Sequence, residues 1–347
     1  MQIDDLEISN DSQPTIIAEM SGNHNQSFDN ALKIVDQAKE AGVQLLKLQT
    51  YTPDTITLNV DREEFIVKSK NDSWNNSTMY SLYKEAHTPW EWQKEIISYS
   101  KEKGLICFSA PFDETSVEFL ESIDIPAYKI ASPEIIHIPL IKEVALTGKP
   151  VIISTGMATL GEIDQAIEIF TKYSSADYAL LKCTSSYPTD PSESNILTIP
   201  YLRNIFGCEV GLSDHTLGIG VALGAIAHGA SIIEKHLTLS RALGGVDSAF
   251  SLEPNEMKTL VKESINTWKS LGEVKFGPVN SEIDSLTGRR SIYIAEDIME
   301  NEEFTRKNLR VVRPNKGLKP IFFDKILGRK AVQKISKGTP MSWNLIK

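Results

Sequence analysis

Between residues 14 and 240 the sequence repeats one phrase eight times: a short β-branched run, a polar turn, an amphipathic stretch, and the next run. The runs are TIIAEM, QLLKLQT, LICFSAPF, AYKIAS, PVIISTG, YALLKCTS, EVGLSDH and SIIEKH. The stretches between them have helical period. Several close on a glycine just before the next run, at Gly42, Gly104, Gly148 and Gly229, where glycine supplies the left-handed residue that stops a helix. Eight such alternations predict an α/β fold of the (β/α)8 TIM-barrel type. An open doubly wound sheet is the alternative, and it would more often carry a glycine-rich phosphate loop, which the sequence lacks.

Two segments break the rhythm. The polar insert YTPDTITLNVDREEFIVKSKNDSWNNSTMYSLYKEAHTPWEW follows the second run and is too long for an ordinary strand-to-helix connection, so it predicts a lid or an outer hairpin. Past Gly272 the grammar changes. We read residues 1–275 as the barrel, 276–290 as a linker and 291–347 as a small β-rich domain. That last part holds a weak repeat, IMENEEFTRKNL and ISKGTPMSWNLI, which aligns Ile298 with Ile335, Asn301 with Gly338 and Phe304 with Met341. Asn and Gly best tolerate positive φ, so both copies are expected to turn there about a pseudo-twofold axis.

No stretch approaches the roughly 20 apolar residues of a membrane span, and the opening MQIDDLEISNDSQ lacks the layout of a secretory signal. Cys107, Cys183 and Cys208 each lie in an apolar run, which reads as reduced thiols in a cytoplasmic protein. A net charge of -10 argues against nucleic acid as a partner.

In such barrels the working residues sit at the C-terminal strand ends, and residues two apart share a face. Lys47 and Gln49 share one in LLKLQ, Ser213 and His215 in GLSDH, and Glu234 and His236 in IIEKH. Glu19, Ser109, Lys129, Ser132, Ser154 and Ser185 end other runs, so every strand delivers a polar group to one rim. Buried Glu and Lys need partners to offset their desolvation. His215 and His236, on adjacent strands, suit one divalent cation such as Mn²⁺, Fe²⁺, Co²⁺ or Zn²⁺; a core-capping pair bonded to Asp214 and Glu234 is the alternative. His24 in GNHNQ is a further loop candidate. Lys47 and Lys129 with Ser132, Ser154 and Ser213 make a pocket for phosphate and carboxylate. Lys182 and Lys235 fall on the other parity and read as outer-face residues reaching for solvent.

These motifs, IIAEMSGNHNQS, LLKLQTYTPD, PAYKIASPE, VIISTGMATLGEI, LLKCTSSYPT, GLSDHTLG and IIEKHLTLS, resemble in order those of the phosphoenolpyruvate-dependent nonulosonic (sialic) acid synthases. The tail NLRVVRPNKGLKPIFFDKILGRKAVQKISKG resembles that family's antifreeze-like (SAF) domain. The resemblance implies a transferase that joins phosphoenolpyruvate to an N-acetylated amino sugar with release of phosphate. It implies a manganese-like ion on His215 and His236, with Mg²⁺ or Co²⁺ as substitutes. It places Lys129, Ser132, Ser154 and Ser213 around phosphate, Lys47 at the carboxylate, and Glu19 and Glu234 beside the reacting carbons. Gln49, Tyr187 and Asp247 would line the sugar, and Arg313 would reach into the partner's barrel in a domain-swapped homodimer.

Departures from the family pattern are Ala110 for a threonine, Ser185 for an asparagine near the phosphate, and Gln26 for a frequent glycine. The stretches QTYTPDTITLNVDREEFIVK, TLSRALGGVDSAFSLEP and RPNKGLKPIFFDKILGRKA resemble the pseudaminic branch of the family more than the sialic or legionaminic branches. The sugar then expected is 2,4-diacetamido-2,4,6-trideoxy-L-altrose, with N-acetylmannosamine and the legionaminic precursor as alternatives. A non-catalytic carbohydrate- or ice-binding protein is the rival from another class. Within enzymes, a class II aldolase or a deoxy-heptulosonate-type synthase would share the barrel and the metal.

Overall fold

In the computed structural model, which describes residues 1–68, 74–75 and 77–347, all eight β-branched runs form parallel strands. A short hairpin, β1 (Gln2–Ile3) and β2 (Leu6–Glu7), precedes them. β3 (Thr15–Glu19), β4 (Leu45–Thr50), β5 (Ile106–Pro111), β6 (Tyr128–Ile130), β7 (Val151–Ser154), β8 (Tyr178–Cys183), β9 (Glu209–Asp214) and β10 (Ile232–His236) pair in sequence order, and β10 closes on β3. The eightfold alternation is thus a closed barrel, and the open sheet is excluded.

α1 (Phe28–Ala41) follows β3, while α2 (Pro53–Ile56), α3 (Met79–Ala86) and α4 (Trp90–Glu102) follow β4. The later strands are followed in turn by α5 (Glu114–Ser122), α6 (Ile138–Leu146), α7 (Leu160–Tyr173), α8 (Thr198–Phe206), α9 (Gly220–Ala227) and α10 (Pro254–Leu271). The four expected helix stops, Gly42, Gly104, Gly148 and Gly229, have φ of 87°, 72°, 70° and 89°.

Strand parity sorts the barrel into two apolar regions. Outward residues such as Ile16, Leu46, Ile130, Ile153, Val210 and Ile233 pack against the helices. Inward residues, including Ile17, Leu45, Phe108, Ala127, Ile152 and Ile232, fill the barrel's lower half together with Ile3 and Ile8 of the N-terminal segment. Two positions along each strand from Ile17, Leu45, Ala127, Ile152 and Ile232 stand Glu19, Lys47, Lys129, Ser154 and Glu234. Period two keeps them on the inner face, so a polar layer lies on the apolar plug. Gly211, which belongs to the same inward set on β9, is required by packing: a Cβ there would lie 2.2 Å from the Ile232 carbonyl oxygen.

Glu273–Lys347 forms a second compact unit. β11 (Ser291–Ile294) pairs antiparallel with β12 (Leu309–Val312), a short helix α11 (Phe323–Ile326) follows, and Ile292, Ile294, Phe304, Leu309, Ile326 and Met341 are among its core residues. The weak repeat is visible in space. Ile298 and Ile335 form an antiparallel bridge to each other, Asn301 and Gly338 have φ of 66° and 87°, and Phe304 and Met341 are both buried.

Candidate active site

The polar layer floors a cavity of about 490 Å³ at the C-terminal mouth of the barrel. Lys47, Gln49, Lys129, Ser132, Ser154, Tyr187, Ser213, His215, Glu234, His236 and Asp247 all line it. Parallel register brings the charges together: Lys47 lies beside Glu19, Glu19 beside His236, and Ser213 beside Glu234. Lys47 Nζ stands 3.0 Å from Glu19 Oε2 and 3.2 Å from Glu234 Oε1, and Lys129 Nζ stands 3.9 Å from that same Glu234 oxygen. Gln49 Nε2 donates to Glu19 Oε1 at 2.9 Å, Ser213 Oγ to Glu234 Oε1 at 3.0 Å, and Lys129 Nζ to Ser154 Oγ at 2.5 Å.

This arrangement separates the two carboxyl groups. Burial drives Glu19 above the ordinary carboxylate range; Lys47 opposes the shift and Glu234 adds to it. Burial acts on Glu234 as well, but Lys129 and Lys47 outweigh it and hold that carboxylate low. Two carboxyls pushed apart by their surroundings are suited to opposite proton-transfer roles. Lys129 is lowered to about 8, first by burial, with Glu234 opposing. Lys47 is raised despite burial, because Glu19 and Glu234 flank it.

The imidazoles of His215 and His236 are neighbours, with ring centroids 5.4 Å apart and planes tilted by 59°. His215 Nδ1 is 3.1 Å from the Thr184 carbonyl oxygen. His236 Nδ1 is buried without a hydrogen-bond partner among the described residues, and Asp247 Oδ2 lies 3.9 Å from it. Burial, then the neighbouring His215, keep His236 far below its usual pKa and so neutral. The bonds expected of a core-capping pair are not the ones formed among the described residues: Asp214 engages Thr216 and Lys235, and Glu234 engages Ser213 and Lys47. Among the described residues no group of three or more His, Cys, Asp or Glu is arranged to hold a cation unaided. A neutral imidazole with an orphaned nitrogen beside a second imidazole does fit an open site that takes its remaining ligands from water and substrate.

Ser109 does not belong to the site. Phe108 takes the inward position on β5, so Ser109 faces outward, where its hydroxyl meets Thr50 Oγ1 at 2.6 Å. Ser185 lies beside the serine cluster: a Cβ on Gly156 would meet both Ser185 Oγ and Ser132 Oγ. Arg313 belongs to the second unit and is exposed. Lys235 is not a solvent-seeking residue but is 1% exposed. His24 is a packed histidine, with Nε2 3.1 Å from Thr88 Oγ1 and its ring edge-on to Trp92. Gln26 adopts the left-handed backbone a glycine would favour (φ 52°), and its amide donates to the carbonyls of Glu85 and His87 at the end of the insert.

Several cavity residues escaped the sequence reading, Cys183 and Glu134 among them. The period-two rule applied to YALLKC lands on Cys183, whose Sγ is 3.9 Å from His215 Nδ1. Burial opposes its ionisation, yet His215, Ser132 and Lys129 bring the thiol down to about 6. Glu134 has a buried Oε2 without a hydrogen-bond partner among the described residues, and burial raises its carboxyl to about 7. The insert supplies the cavity's outer wall through Ile56, Val67, Trp74, Met79, Leu82 and Tyr83, so the lid reading holds for its described part. Residues 69–73 and 76 of the insert lie outside the described residues.

The NeuB family matches residues 34–276 and the SAF domain residues 289–347. The chain belongs to the NeuB family. It is 41% identical over 328 residues to a pseudaminic acid synthase of Campylobacter jejuni, covering 94% of this chain and 95% of that one. An N,N'-diacetyllegionaminic acid synthase of Legionella pneumophila is 35% identical, with 95% and 94% covered. Among solved structures, the N-acetylneuraminic acid synthetase of Leptospira borgpetersenii superposes with a TM-score of 0.71 at 33% identity, covering 82% of this chain and 94% of that one. The resemblance drawn from the motifs is therefore borne out, and the non-catalytic binding-protein reading is set aside.

Proposed function

We propose that the chain condenses phosphoenolpyruvate with open-chain 2,4-diacetamido-2,4,6-trideoxy-L-altrose and water, giving pseudaminic acid and phosphate. The observation that carries the reading is the Glu19–Lys47–Glu234–Lys129 array beside two neighbouring imidazoles, in a cavity sized for two small substrates. Lys129 with Ser132, Ser154 and Ser213 holds the phosphate, and Lys47 meets the carboxylate. His215 and His236 would hold a divalent cation, Mn²⁺ first among candidates, which supplies Lewis-acid polarisation of the sugar aldehyde. As C3 of phosphoenolpyruvate bonds to the aldehyde carbon, Glu19, whose carboxyl burial raises toward neutrality, gives its proton to the aldehyde oxygen. Water adds to the oxocarbenium-like C2 and loses a proton to the ionised Glu234. The tetrahedral centre then collapses to the ketone: its hydroxyl proton passes to the departing phosphate as the C2–O bond breaks, and phosphate leaves against Lys129 and the serines. Phosphoenolpyruvate carrying ¹⁸O at the bridging position should therefore release labelled phosphate. Unlabelled phosphate would mean attack at phosphorus and would end this mechanism.

A cytoplasmic homodimer completes the reading. Residues 1–272 carry 21 Lys and Arg against 37 Asp and Glu, while residues 273–347 carry 15 against 9. The opposite charges of barrel and tail would steer such an encounter between two copies, and we take Arg313 to be donated to the partner's site.

Two groups shape the alkaline limb of the pH profile: Glu19, whose carboxyl burial raises to about 7 and which must keep its proton, gives a first step, and Lys129 gives a second, higher one. The ammonium is charged below about 8 in the free protein, so kcat/KM for phosphoenolpyruvate should fall as pH rises through that value. Bound phosphate favours the charged form, so the limb in kcat should lie higher. Lys129→Arg, whose guanidinium stays charged, should remove the limb near 8. A limb that stays in place would assign it to another group.

A further inference from the structure

Toward the C-terminal ends of β9 and β10 the helix-facing positions change character. Val210, Leu212 and Ile233 are apolar, but the next positions in that set are Asp214 and Lys235, 3% and 1% exposed. Lys235 Nζ lies 2.8 Å from Asp214 Oδ2 and donates to the Thr216 carbonyl oxygen at 2.6 Å. Asp214 Oδ1 in turn accepts from Thr216 N at 2.9 Å and Thr216 Oγ1 at 2.8 Å. The residues on both sides of His215 are thus tied to the residue that immediately precedes His236. Neither Asp214 nor Lys235 lines the cavity, so neither can touch substrate.

Withdrawing two charges from water into an apolar layer is unfavourable, and a well-packed apolar pair of similar volume would commonly be no less stable. What the ion pair adds is direction, because hydrogen bonds fix the relative height and twist of two strand ends where dispersion contacts allow them to slide. Resting on the two-histidine cation site proposed above, we infer that Asp214 and Lys235 are positioning residues that hold the His215 and His236 imidazoles at the separation the cation requires. Groups that orient metal ligands from behind typically change metal affinity by about 10- to 100-fold when removed.

The test is calorimetric titration of the full chain with Mn²⁺ or Co²⁺ in the absence of substrate. Asp214→Leu/Lys235→Met removes both charges together and leaves none buried alone. The expected result is cooperative melting with the cation Kd raised about 10- to 100-fold. An unchanged Kd in the folded double variant would reduce the pair to a structural role and overturn the inference. If the double variant does not fold, Lys235→Arg carries the test. Its charge persists, but the longer, planar guanidinium must shift the Asp214 and Thr216 contacts from their present geometry, so a Kd weakened severalfold is expected and an unchanged one overturns the inference. The wild-type titration separates the two readings. If the native chain takes no cation, the metal site and the inference both fail; if it binds and the variants bind equally well, only the positioning role fails.

Discussion

Replacing His215 or His236 with alanine is expected to lower kcat by about 10³-fold or more, because Lewis-acid activation contributes several kcal/mol to the barrier and each ~1.4 kcal/mol is a factor of ten. Folding should survive the change. Both imidazoles lie at the mouth of the barrel, outside its apolar clusters, so truncation leaves a polar hollow open to solvent rather than a cavity in the core. Phosphate release measured with saturating Mn²⁺, alongside thermal melting, separates lost chemistry from lost fold. Full turnover of the wild type in metal-stripped buffer with chelator present would sink the metal reading. His215→Ala should also alter Cys183, whose thiol is held down chiefly by that imidazole against burial. Slower alkylation of Cys183 in the variant, at a pH near 7 and without metal, would report the lost contact independently of activity.

The barrel was legible because its signal is local and repeated: strand, helix, left-handed glycine. Half of the site was legible for a related reason. Parity is a property of the strand itself, so Ile17 followed by Glu19, or Ile232 followed by Glu234, places a carboxyl inside once the barrel closes. Parity needs a phase, however, and the phase is not local. On β5 the inward residue is Phe108, so the polar residue chosen at that strand end, Ser109, faces the wrong way. On β8 the inward residue is a cysteine, and a preference for polar side chains passes over it. Lys235 shows the opposite failure. A lone lysine on an outer face looks solvent-bound until the register sets Asp214 beside it. The cavity's outer wall depends on contacts distant in sequence, such as Trp74 Nε1 donating to the Val246 carbonyl oxygen at 2.5 Å across 172 positions. No window of sequence carries such a contact.

Selectivity between sugars should rest on that wall. Catalytic efficiency with 2,4-diacetamido-2,4,6-trideoxy-L-altrose is expected to exceed that with N-acetylmannosamine by at least about 10²-fold. Ile56, Val67, Met79, Leu82 and Val246 give the cavity an apolar side, with Trp74 closing over it beside Tyr187 and Phe250. The 6-deoxy sugar offers this side a methyl and a second acetamido group where N-acetylmannosamine offers hydroxyls. Apolar contact by itself rejects an added hydroxyl only by about 10²-fold. The larger discrimination must come from a polar group that the wrong sugar leaves unmatched, at about 1 to 3 kcal/mol for each buried partner lost. Asp247, buried at the cavity wall with Ser21 donating a hydroxyl hydrogen bond to its carboxylate, is the first candidate for this, and Arg313 is the second if a partner subunit delivers it. Asp247→Asn should therefore narrow the preference between the two sugars more than it slows the favoured one. Phosphate release measured across the three nonulosonate precursors decides the matter: comparable efficiency on N-acetylmannosamine, or preference for the legionaminic precursor, would overturn the sugar assignment and leave the synthase chemistry intact.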